Sequence, residues 1–301
     1  MIVLVCPGQG SQTPGFLSPW LDDPANRELL ERYSDEAGLD LIRHGTESDA
    51  DTIRDTRIAQ PLIVAAGLVT LRALGSIPHS VGIAGHSVGE ITAAVGAGVL
   101  SDTAAMRFVA ARATAMATAA AAVPTGMSAV LGGDADALLA RLDDLGLEPA
   151  NFNGGGQTVV AGELASLAEL AATPLAGTRV VPLQVAGAFH TRYMADARIE
   201  LASTAQSVTA SDPARPLWTN ADGSRIESGD RFVELLVQQV ASPVRWDLTM
   251  AGMLDAGVTG IIELAPAGAL TGLARRGLKG IPAVGIKSPD DLQSALDLLA
   301  A

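Results

Sequence analysis

The chain has 301 residues, 48% hydrophobic but only 3% aromatic, with 32 Gly, which leaves ample chain for a core built from Ala, Val, Leu and Ile. That diet suits buried parallel strands in an α/β protein better than a sandwich. With 20 basic against 33 acidic residues the net charge is −13, which argues against nucleic acid or an anionic membrane as partner.

From the N-terminus, the apolar run 2–6 reads as a buried strand that includes Cys6, the single cysteine. No intrachain disulfide can form, and the thiol reads as a small core hydrophobe. The first residues lack the basic start and longer apolar stretch of a signal peptide. No run approaches the roughly 20 apolar residues of a bilayer span. The expectation is a soluble protein in a reducing, cytoplasmic setting. A loop over 7–15 follows, then a helix over 59–74, a short strand over 81–84 and a small-residue helix over 90–99. An Ala-rich helix over 104–122 is ended by Pro124.

The texture then changes. Residues 127–131 read as a strand, 135–145 as a helix, 157–161 as a strand, 164–172 as a helix and 179–185 as a strand. With a further strand near 149–153 this is a split βαβ unit with its own small sheet. Helices near 194–207 and 231–240, a core strand over 261–264 and a helix-like 269–274 complete the pattern. The expected architecture is a main α/β body interrupted by a small inserted domain.

The sharpest local motif is Gly85-His86-Ser87-Val88-Gly89-Glu90, between a predicted strand and a predicted helix. Gly-x-Ser-x-Gly in that context is a nucleophile elbow: glycines relieve the crowded turn, and the serine hydroxyl projects at a helix N-terminus able to stabilise an oxyanion. The competing reading is an ordinary Gly-Ser turn with Ser87 as N-cap. A serine nucleophile needs a base, and the chain has only His44, His79, His86 and His190. His44 and His79 lie in polar, turn-like surroundings. His86 adjoins the serine, and its side chain should point away from the hydroxyl. His190 closes Gly187-Ala188-Phe189-His190 after a strand and is the best base available.

Arg112 falls on the apolar stripe of its helix with Phe108, Val109, Ala115 and Met116, whereas Arg107 can face solvent. A guanidinium there is costly without an anion. It is either a snorkelling or structurally paired arginine, or a fork for a substrate carboxylate.

Together with Pro7-Gly8-Gln9-Gly10-Ser11-Gln12, Gln239 and Pro243-Val244-Arg245-Trp246, these motifs resemble the malonyl-CoA:acyl carrier protein transacylases, in the family's order and over essentially the whole length. The resemblance implies an α/β-hydrolase-like core with a parallel sheet over 1–123 and 186–301, and an inserted ferredoxin-like subdomain over 124–185. It implies Ser87 as nucleophile and His190 as general base and acid, oriented by the main-chain carbonyl of Gln239 where many triads have an acid. Backbone N–H groups of Gln9 and Val88 would form the oxyanion hole. Arg112 would bind the malonyl carboxylate, with Met116, Phe189, Asn151 and Asn153 along the substrate cleft. Phe189 matches the malonyl rather than the methylmalonyl pattern, and Gly187 stands where the family often has a larger residue.

The activity implied is ping-pong transfer: malonyl-CoA acylates Ser87, and the phosphopantetheine thiol of holo acyl carrier protein takes the malonyl group for fatty-acid or polyketide chain extension. No cofactor or metal is implied beyond malonyl-CoA as substrate. An acidic carrier needs a basic patch, and Arg275, Arg276 and Lys279, just after the helix-like 269–274, are the candidates; a solvated helix end is the other reading. Within the family a malonate-decarboxylase transferase subunit or a trans-acting polyketide acyltransferase shares these motifs. Outside it, a serine acyl-CoA hydrolase would use the same Ser87 and His190, and a non-catalytic carrier-binding subunit would have no need of them.

Overall fold

The apolar runs fold into eight strands in the computed structural model, which describes residues 1–185 and 187–300; the domain boundary expected at 186 and the last residue, 301, lie outside these. The strands are β1 (Ile2–Cys6), β2 (Gly82–Gly85), β3 (Thr125–Gly132), β4 (Glu148–Gly154), β5 (Gln157–Glu163), β6 (Thr178–Pro182), β7 (Gly260–Glu263) and β8 (Ala283–Gly285). They form two sheets, a parallel one in the order β2-β1-β7-β8 and an antiparallel one in the order β4-β5-β3-β6.

β1 is central to the parallel sheet and buried nearly throughout. Its side chains alternate between two cores, as the period of two requires. Leu4 and Cys6 join Leu62, Val69, Ile91, Phe108 and Met116. Val3 and Val5 join Trp218, Trp246, Met250 and Leu270. Helices therefore cover both faces, the usual condition of a parallel sheet. Among those on the first face is Thr56–Leu74, which has the length and composition to cross a bilayer. This corrects the expectation that no run comes near that size. The helix is a core element: its most apolar window is 72% buried within the protein, and it packs on Asp102–Ala122 and Gly89–Gly96.

In the antiparallel sheet, Val130 and Val160 pack with Leu138, Leu142, Leu167 and Leu170 of the helices Ala135–Leu145 and Leu164–Ala172. The opposite side chains of the same strands, Met127, Ala129, Val159 and Ala161, join the main core. The small sheet thus buries one face locally and turns the other to the body. Main-chain bonds from Phe152 N–H to Val244 O and from Val244 N–H to Ala150 O, each 2.9 Å, fasten its β4 to the segment after Gln239.

The fold moves the ends of several predicted elements. The strand over 179–185 ends at Pro182, where the chain leaves the sheet to carry His190; Leu183 N–H still reaches Met127 O. The helix over 194–207 is Ala195–Ala205, entered through a tight turn at Arg192–Met194. The helix over 90–99 stops at Gly96. The helix-like 269–274 continues to Gly277, so Arg275 and Arg276 lie in its last turn rather than after it.

Candidate active site

Ser87 sits between β2 and the helix Gly89–Gly96 with φ of +52°, one of two non-glycine residues in the left-handed region among those described. Such a backbone costs energy for a residue with a Cβ. It is held because the turn leaves no alternative: a Cβ on Gly85 would strike the backbone of Gly89 and Glu90, and one on Gly89 would strike Cys6 O. Asn220 pins the turn further. Its Oδ1 accepts from Ser87 N–H at 2.8 Å and its Nδ2 donates to Gly85 O at 2.7 Å.

His190 is the other left-handed residue, at φ +64°. Its N–H donates to Val240 O, and the loop before it is tied down by Ala188 N–H donating to Thr125 Oγ1 at 3.0 Å. Gly187 lies so close to the long helix that a Cβ would come within 2.5 Å of Ala120 Cβ; a larger residue does not fit this loop. His190 Nε2 is 2.8 Å from Ser87 Oγ and Nδ1 is 2.8 Å from Gln239 O. A carbonyl only accepts, so Nδ1 carries the proton and Nε2 presents its lone pair to the serine hydroxyl. Burial, and then the adjacent Arg112 charge, hold the imidazole down to about 3. It is a neutral acceptor throughout the physiological range.

Arg112 is 1% exposed. Its Nη2 donates to Gln239 Oε1 at 2.9 Å and to Ser87 Oγ at 3.3 Å, and its Nη1 donates to Gln60 Oε1. Its direct partners are two neutral amides and a hydroxyl rather than the anion the apolar stripe led one to expect. The carboxylate stands one residue further on. Gln239 Nε2 donates to Glu90 Oε2, and Glu90 Oε1 accepts from Asn220 N–H at 2.7 Å. Burial pushes the Glu90 carboxyl up to about 8 while Arg112 pulls it down. Burial brings the guanidinium to about 10, with Glu90 opposing that shift. Gln239 thus has two roles, its main chain holding His190 and its side chain bridging Glu90 to Arg112.

Ser87, His190 and Arg112 open on a cavity of about 470 Å³ between the two sheets, also lined by Gln9, Val88, Met116, Asn151, Asn153 and Phe189. Among the described residues the backbone N–H groups of Gln9 and Val88 donate to no protein acceptor. His86 turns away from the serine, as its position in a tight elbow requires. Its Nε2 donates to Asn153 Oδ1 at 2.9 Å, its ring packs against Trp246, and burial lowers its pKa. Arg276 reaches the cavity rim, while Arg275 and Lys279 are exposed and outside its lining. Among the described residues no group of three or more His, Cys, Asp or Glu is placed to hold a metal ion.

Glu90, Asn220 and Gln60 are not legible as site residues in the sequence. Glu90 closes the elbow motif, and a carboxylate fixed inside a helix of small residues is its one local signal. Asn220 and Gln60 carry none, because their partners lie 133 and 52 residues away.

The chain matches the acyl transferase domain family over residues 3–292. It is 47% identical to the malonyl CoA-acyl carrier protein transacylase of Mycobacterium bovis, across 99% of this chain and 100% of that protein. The crystal structure of MCAT from Mycobacterium tuberculosis superposes with a TM-score of 0.94 at 47% identity, covering all of both chains. A type II PKS acyl-carrier protein in complex with its malonyl-transacylase includes a chain similar at TM-score 0.92 and 29% identity over 99% of each. Shared sequence at nearly half of all positions, on one fold and over nearly the whole length, means that this chain belongs to the acyl transferase domain family, among the malonyl CoA-acyl carrier protein transacylases.

Proposed function

We propose that this chain transfers malonyl from malonyl-CoA to the phosphopantetheine thiol of holo acyl carrier protein, supplying fatty-acid or polyketide chain extension from the cytoplasm. The observation that carries the reading is the buried Arg112 fork 3.3 Å from the Ser87 hydroxyl. A carboxylate at the far end of a short acyl group bound to that oxygen meets a guanidinium already in place. Three of the five N–H donors of Arg112 are engaged, which leaves others for the incoming oxygens.

In the acylation half, His190 Nε2 takes the Ser87 proton as Oγ attacks the thioester carbonyl. The imidazolium so formed is held by the Gln239 carbonyl at Nδ1. The free N–H groups of Gln9 and Val88 stabilise the oxyanion. Collapse expels coenzyme A thiolate, which takes the proton from His190. The carrier thiol then reverses these steps, with His190 as base toward sulfur. Met116, Phe189, Asn151 and Asn153 shape the acyl and pantetheine path. Arg275, Arg276 and Lys279 receive the acidic carrier.

The βαββαβ order with strands arranged β4-β5-β3-β6 supports reading 124–185 as a ferredoxin-like subdomain. The parallel sheet with its nucleophile elbow supports an α/β-hydrolase-like core over 1–123 and 186–301. Incubation with isotope-labelled malonyl-CoA should place one malonyl on Ser87 by peptide mass mapping, and none in Ser87→Ala. Absence of label on wild-type Ser87 would overturn the reading.

A further inference from the structure

Arg112 and Glu90 are the two charged side chains of one buried network, joined through a single amide that donates to one and accepts from the other. Both are 1% exposed. A malonyl group adds a second carboxylate to this site. A guanidinium facing two carboxylates in a desolvated space carries an uncompensated negative charge, which is costly. We propose that the malonyl carboxylate and Glu90 are alternative counter-charges for Arg112, so that Glu90 holds a proton while malonyl occupies the site and an ionised Glu90 opposes its entry. This inference rests on the malonyl-transfer reading above and assigns Glu90 a specificity-determining role within it.

The surroundings leave Arg112 as the group that sets this charge. Five elements pack on the Gly89–Gly96 helix: Thr56–Leu74, Asp102–Ala122, Gly229–Gln239, β1 and β2. Of their titratable side chains, Arg57, Arg72, Arg107, Asp230, Arg231 and Glu234 are exposed. Asp102 is paired with Arg32, and burial pushes the Cys6 thiol up, so it stays neutral. His190 is held neutral beside Arg112. Arg245 lines a small cavity with Glu90 but is paired with Asp247 at 2.8 Å.

That small cavity, about 360 Å³, is lined by Glu90, Thr219, Gln239 and Ser242 and shares no lining residue with the acyl cavity. A proton can therefore reach Glu90 without crossing the site where the ester forms. Where Glu90 is ionised beforehand, one proton from solvent converts its carboxylate to the acid as malonyl is bound, and the same proton leaves when the malonyl group departs to the carrier. By linkage, malonyl handling weakens as pH rises through the Glu90 pKa. Because burial sets that value near about 8, little uptake is expected near neutrality and most of a proton near about pH 8.5.

The test is a rapid-mixing burst of the whole protein with excess malonyl-CoA in dilute buffer with a pH indicator, with Ser87 acylation measured by mass in the same samples. Uptake approaching one proton per malonylated serine near about pH 8.5, absent in Glu90→Gln, is the predicted result. Acylation without uptake, or equal uptake in Glu90→Gln, overturns the Glu90 assignment and leaves malonyl transfer standing. No acylation overturns both. Should Glu90→Gln fail to fold, infrared difference spectra of the wild type decide. A protonated-carboxyl band that appears on acylation and does not shift with ¹³C-malonyl supports the inference, and its absence overturns it.

Discussion

At Ser87 and His190 chemistry depends on which nitrogen holds the proton, and the Gln239 carbonyl decides it. Nδ1 must donate, so Nε2 is the nitrogen that presents a lone pair to the Ser87 hydroxyl. With the imidazole held down to about 3, the acylation rate should not fall as pH drops from about 8 to about 5.5, where an ordinary histidine would lose most of its basic form. Burst rates across that range check this; a loss centred on about 6.5 would contradict it. Arg112 has a different signature. If Arg112 holds the malonyl carboxylate as proposed, Arg112→Ala removes charge-assisted bonds worth about 1.5–3 kcal/mol each. Acylation by malonyl-CoA should fall by at least about tenfold relative to acetyl-CoA, and competition between the two thioesters measures it. These three residues were legible in the sequence because their types are scarce where they stand. Four His left one plausible base, and a single arginine interrupted an apolar stripe. Glu90, Asn220 and Gln60 were not, because each matters only through a partner brought near by the fold.

The elbow is an element whose geometry is enforced by contacts on every side. Asn220 accepts from Ser87 N–H, donates to Gly85 O and gives its own N–H to Glu90. Asn220→Ala leaves a buried donor and acceptor unpaired, at a cost of about 1–3 kcal/mol each. Both the denaturant midpoint and the acylation rate should drop, whereas an unchanged acylation rate would show that the turn does not need this anchor. The last turn of the Ala269–Gly277 helix carries Arg275 and Arg276, both exposed, with Lys279 just beyond. Arg275 and Lys279 lie outside the acyl cavity, so reversing both charges should slow transfer to acyl carrier protein by roughly tenfold while leaving Ser87 acylation unaltered. Equal effects on both half-reactions would remove this helix end from docking. Element boundaries were read best where local chemistry sets them. Asp134 caps Ala135–Leu145 and Gly146 ends it with a left-handed φ of +63°, and both signals are in the sequence. The strand expected over 179–185 was too long because nothing local announces that the chain must leave the sheet at Pro182 to deliver His190.

For the whole molecule, the cleft exists because β3 and β5 divide their side chains between a local core and the body, leaving Met127, Ala129 and Val159 over the acyl cavity. The βαββαβ alternation is readable from the apolar runs except at β4, where Pro149 and two asparagines interrupt the pattern and leave a strand near 149–153 only a condition of the reading. Which face of that small sheet turns toward Ser87 is not readable, since both carry apolar residues. The buried carboxyl behind Arg112 also reaches global stability. The Glu90 carboxyl is raised from 4.5 to about 8 by burial, so the unfolded chain ionises it first. Its contribution to stability is whole below about 4.5 and is lost as pH rises toward about 8. Glu90→Gln should gain stability relative to the wild type over that interval and not below it, as chemical denaturation at the two limits would reveal.

Malonyl transfer as proposed requires Ser87 to pass its acyl group to a thiol rather than to water. The most direct measurement isolates the labelled malonyl-enzyme free of coenzyme A, then adds holo acyl carrier protein in a single turnover. Label should leave Ser87 and appear on the carrier's phosphopantetheine, much faster than free malonate forms when the carrier is omitted. Label recovered as malonate at the same rate with and without carrier would contradict it.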